Sequence, residues 1–122
     1  MKTLLSITAV FECLTGIALI AIPSTIVPML LGIPFEDDSL HVISGITGAA
    51  LISIGMTCWM FRHSGLHAAS VVRSVLFYNL AGTLILLYAL LGLSMSALGL
   101  WPVTIIHFAM GIWCLVVLRR KD

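Results

Sequence analysis

Long apolar stretches alternate with short polar breaks along this chain. Four stretches approach the ~20 residues needed to cross a hydrocarbon core: Leu4–Ile22, Leu40–Phe61, Ala68–Leu91 and Trp101–Leu118. They use most of the sequence, so the pattern predicts one all-α domain over 1–122, a four-helix transmembrane bundle. Span one stops at Pro23. Ile26–Phe35 is still apolar but punctuated by Pro28, Gly32 and Pro34. It is too short to cross and too apolar to leave, so it is expected at the interface as a broken helical turn or two. Asp38 or Ser39 is then expected to cap span two. Gly65 breaks the Arg62–His67 turn, and the uncharged Gly92–Leu100 turn makes spans three and four an antiparallel hairpin. Trp101 and Pro102 open span four, with proline at a first-turn position where its missing N–H does no harm.

Composition and charge sharpen this picture. The 122 residues are 61% hydrophobic and 9% charged, with mean hydropathy +1.18. Soluble domains carry about 25% charged residues. Lys2, Arg62, Arg119, Arg120 and Lys121 flank the spans on one side, with Arg73 just inside it; Glu36, Asp37 and Asp38 lie on the other. The positive-inside rule then gives both termini cytoplasmic (N-in/C-in). Net charge of +1 gives no reason to expect nucleic acid. Lys2 before an apolar run resembles a signal peptide, but Glu12 interrupts the run and no small-x-small site follows, so span one is expected to be retained. Cys13, Cys58 and Cys114 form no CxxC and read as small buried apolar residues.

Span two repeats small residues at Gly45, Ala49, Ser53 and Thr57, with Gly48 and Gly55 beside them. Small residues four apart let helix backbones approach, so this stripe is expected to pack within the bundle or against a second copy.

The chemistry centres on Glu12. A carboxylate in mid-membrane costs on the order of 2.5 kcal/mol or more, so it needs a proton, a partner or a wet cavity. At about 1.5 Å rise per residue, Glu12 lies about 12–15 Å from its cytoplasmic end, and Asn79 and His107 about 17 Å from theirs. A single inward cluster of Glu12, Asn79 and His107 is therefore expected, with Arg73 a turn or two below, either there or snorkelling to headgroups. Such a cluster is a ligand or proton site, or a network that fixes helix packing. His63 and His67 have metal-like spacing, but Gly65 between them favours solvated loop residues. His41 and His107 are poorly matched in depth as haem ligands. No phosphate loop, carboxylate pair or ordered metal cluster is present, so neither an enzyme nor a cofactor is expected.

Phe11-Glu12 followed by Gly16 and Pro23, the glycine-rich span two ending in Cys58-Trp59, Tyr78-Asn79 and the span-four histidine resemble small bacterial four-helix inner-membrane proteins of the DoxX-like or uncharacterised-domain kind. That resemblance implies the four-helix layout and no assigned activity. Small multidrug resistance transporters are similar in length and in the span-one glutamate, but the one-sided charge here departs from dual topology. The function expected is a binding or accessory module for a hydrophobic small molecule or a membrane partner, set in the lipid bilayer. The alternative is a proton-coupled small-molecule transporter using Glu12.

Overall fold

The computed structural model describes residues 1–120 as five helices, with no strand among them. They are α1 (Lys2–Ala21), α2 (Pro23–Leu31), α3 (Asp38–Phe61), α4 (Gly65–Leu87) and α5 (Leu100–Arg119). A π-helical turn, Tyr88–Gly92, prolongs α4. Four helices are long and apolar enough to cross a membrane: α1, α3, α4 with its π turn, and α5. Their outer faces are apolar, as Ile46, Phe77, Leu84 and Ile85 illustrate.

The bundle is built from two close pairs, α1 on α3 and α4 on α5. Glycines set the first pair. A Cβ added to Gly16 would stand 2.5 Å from the Gly48 carbonyl oxygen, and one added to Gly55 would stand 2.8 Å from that of Ala9. Ser44 completes the seam by donating to the Leu19 carbonyl at 2.8 Å. The packing expected of Gly45, Ala49 and Ser53 within the bundle therefore falls to Ser44, Gly48 and Gly55. Nothing lies within 4 Å of a Cβ built on Gly45, while Ala49 and Ser53 are exposed. Both stripes recur at helical spacing, four residues or seven, so the helical period leaves the choice between them open. The partner's glycine decides it.

The segment after α1 is more regular than its prolines suggest. Pro23 occupies the first turn of α2, and Gly32 ends the helix in the left-handed region at φ 68°, its N–H bonded to the Pro28 carbonyl. The turn before α5 fastens onto it: Gly99 N–H donates to the Met29 carbonyl at 3.0 Å, an approach that a Cβ on Gly99 would block. This tie holds α2 across one end of the bundle.

At the start of α3 the cap is Asp37, one residue earlier than expected. Its side chain accepts the Ser39 N–H at 2.9 Å, which satisfies a free donor of the first turn. The same bond holds the Asp37 carboxyl below its ordinary range. Gly65 does not end a helix; it begins α4 at φ 35°, placing His67 on the first turn. At that end Arg62 lies over the Trp59 ring, 3.5 Å from its centroid, and donates to the Trp59 carbonyl. One apolar core cluster, around Leu5, Cys58, Val72 and Cys114, fills this half of the bundle; a second, around Leu19, Val27 and Leu51, lies under α2.

Candidate functional site

Between those two clusters the helices part. Glu12 projects from the middle of α1 and is only 5% exposed, too buried for bulk water to solvate it. Its partner is Tyr78 on α4, whose hydroxyl donates to Glu12 Oε2 over 3.4 Å. The Tyr78 ring then meets the His107 imidazole of α5 edge-on, with centroids 5.3 Å apart. Tyr78 thus joins the carboxyl of one helix pair to the imidazole of the other.

Asn79, the next residue of α4, turns toward α5. Its Nδ2 donates to the Val75 carbonyl at 2.8 Å, and its Oδ1 lies 3.0 Å from His107 Nδ1. Gly82, one turn on, makes room for the ring: a Cβ there would come within 3.1 Å of His107 Nδ1. Gly111 of α5 faces the same region more loosely: a Cβ there would meet the Asn79 Cβ at 3.8 Å, an ordinary contact. The nearby threonines are spent locally. Thr8, Thr15, Thr83 and Thr104 each donate to the carbonyl four residues back in their own helix. They lower local polarity without contributing a free donor.

A cavity of about 430 Å³ opens beside this cluster. Phe11, Ala18, Ile26, Met29, Leu51, Val103 and Ile106 give it an apolar wall, and Glu12, Tyr78 and His107 bring polar groups to it. A second cavity of about 240 Å³ adjoins it, sharing Phe11, Glu12, Ile106 and His107 and adding Asn79 and Met110. The two run along the boundary of α1 with α5, where the close pairs face rather than grip each other. Glu12, Asn79 and His107 therefore line one space, as their matched depths suggested.

Arg73 is not part of it. It is exposed and lines neither cavity. Six residues separate it from Asn79, and six steps of about 100° turn it roughly 240° around the helix from that face. Depth alone had placed it near the cluster; azimuth removes it. Conversely, depth and polarity single out Asn79 but pass over its neighbour Tyr78. The available signal is a phenol in mid-helix whose hydroxyl needs a partner when buried.

The other histidines stand apart. His41 packs edge-on against Phe35, 4.4 Å between ring centroids, and His67 lies 5.9 Å from Phe61. No group of three or more His, Cys, Asp or Glu gathers to hold a metal among the described residues.

No protein-family model, curated protein or solved structure matches the chain.

Proposed function

We propose that this chain is a multi-pass protein of the cell inner membrane that binds an amphipathic small molecule in the cavity at Glu12, as a binding or accessory module. The observation that carries the reading is the cavity: about 430 Å³, apolar-walled, with Glu12, Tyr78 and His107 converging on it. Ligand sites have this character, a mostly apolar concavity of ~300–1,000 Å³ with a few placed polar groups. The apolar tail of the ligand packs along Phe11, Met29 and Ile106, and its polar end meets the Glu12–Tyr78–His107 cluster. Because the space follows the α1–α5 boundary, the ligand enters sideways from the lipid rather than from water.

The orientation is N-in/C-in. Lys2, Arg62, Arg119 and Arg120 all stand at helix ends on one side, and Glu36, Asp37 and Asp38 precede α3 on the other. Lys121, which belongs to the same basic group, lies outside the described residues.

The test fills the cavity. Native mass spectrometry of the detergent-extracted wild type should show a bound small lipophile. Ala18→Trp, which projects a ring into the space, should lose it while keeping the helical circular dichroism of the wild type. An equal bound mass on both proteins, or none on the wild type, would overturn the reading.

A further inference from the structure

We infer that the ligand's polar end is a hydrogen-bond donor, a hydroxyl on an otherwise apolar molecule, received by Nε2 of His107 in a tautomer that Asn79 selects. This rests on the binding role proposed above and names the chemistry of that same site.

The argument runs through the amide of Asn79. Its two ends differ: nitrogen only donates and oxygen only accepts. The end beside the Val75 carbonyl must be the nitrogen, since two acceptors cannot bond each other, and Nδ2 stands there at 2.8 Å. Oδ1 is thereby left facing His107 Nδ1 at 3.0 Å, and this bond needs a proton on Nδ1. A neutral imidazole carries one N–H. With that proton on Nδ1, Nε2 keeps a bare lone pair.

Position then matters. Gly82 packs against the edge of the ring that carries Nδ1 and Cε1, turning the other edge away from α4. Among the described residues Nε2 has no hydrogen-bond partner, and no buried side-chain nitrogen or oxygen is left unpaired. Nε2 is therefore open, and the spaces open to His107 are the two adjoining cavities. The other polar groups there point to the same ligand. The Tyr78 proton is already given to Glu12 Oε2, so the phenol offers the ligand no free donor. At Nε2 a ketone or ether oxygen would face a lone pair; a hydroxyl would meet an acceptor.

The experiment uses the full chain in lipid nanodiscs with ¹⁵N-labelled histidine, His107→Asn identifying the signal that belongs to His107. Without ligand, Nδ1 should be the protonated nitrogen and Nε2 the bare one. Adding 1-dodecanol should shift the Nε2 resonance saturably, and methyl dodecyl ether, alike but for the O–H, should bind about fivefold or more weakly and leave Nε2 in place. Asn79→Leu removes the selecting oxygen, so the Nδ1–H preference and the preference for the alcohol should fall together. Proton on Nε2 in the wild type would overturn the inference. So would equal, saturable binding of alcohol and ether, and in that case the binding role itself survives. Saturable binding of neither probe would overturn both.

Discussion

Gly16 and Gly48 face each other backbone to backbone: a Cβ on the first would lie 2.5 Å from the carbonyl oxygen of the second, and a Cβ on the second 2.6 Å from that of the first. The approach is reciprocal, so neither helix can yield without moving the other. Gly48→Ala should therefore destabilise the protein by about 1–3 kcal/mol, the usual range for overpacking a tight contact. Gly45→Ala, three residues away in open space, should be neutral or stabilising, since alanine is the better helix former by about 1 kcal/mol. Thermal unfolding of the two variants in the same detergent makes the comparison. Equal losses would mean that α1 and α3 do not meet through this face.

The contrast between those two glycines shows where sequence stops being informative. Hydropathy fixed the number of long helices and nearly their limits, because length in an apolar stretch is a one-dimensional property. Depth along the membrane is also one-dimensional, and it brought Glu12, Asn79 and His107 together. Azimuth is not. Span two has small residues on two faces, and only the position of Gly16 on α1 selects Gly48 over Gly45. Arg73 shows the same limit: it shares the depth range but stands exposed, off the cavity, as the snorkelling alternative allows. Tyr78 was passed over because its role depends on reaching across to another helix, a distance no local pattern encodes. The nine-residue α2 formed despite Pro28, and the bond from Gly99 to Met29 that ties it to the turn before α5 joins residues far apart in the chain.

Asp37 gives a pH-dependent prediction. Its carboxyl is held below the ordinary range by the Ser39 N–H. A carboxylate with a lowered folded-state pKa adds stability above its unfolded value of about 3.9 and loses it as pH falls through the folded value. Asp37→Ala should thus be less stable than wild type near neutral pH, and the gap should close on acidification below the carboxylate range. Unfolding midpoints of both proteins across that range provide the check; a gap independent of pH would mean that the charge contributes nothing to the cap.

Topology can be read by labelling at Glu36, which neighbours the cap without forming it. In a cysteine-free background, Glu36→Cys should react with an impermeant thiol reagent in intact cells. Reaction only after lysis would reverse the proposed orientation.

Gly82 tests the seat of His107. The alanine variant places a methyl 3.1 Å from the ring nitrogen, a contact that must displace the imidazole by a few tenths of an ångström. Alanine is the better helix former by about 1 kcal/mol, which offsets the displacement, so the fold should hold while ligand retention drops. A Gly82→Ala protein that keeps both its stability and its bound molecule would show that the ring position is unimportant.

Glu12 carries the central claim, that a buried carboxyl is kept in this cavity for a ligand and not for packing. Glu12→Gln keeps the shape of the side chain and an oxygen for the Tyr78 hydroxyl, but removes the acid. If the group served packing alone, the variant should fold as well as wild type or better, because the uncharged amide costs less to bury, and should retain the same bound molecule. The most direct measurement is native mass spectrometry of wild type and Glu12→Gln purified side by side from the same membranes. The account predicts a bound lipophile on the wild type and its loss from a Glu12→Gln protein with unchanged unfolding temperature; the same molecule at the same occupancy on both would contradict it.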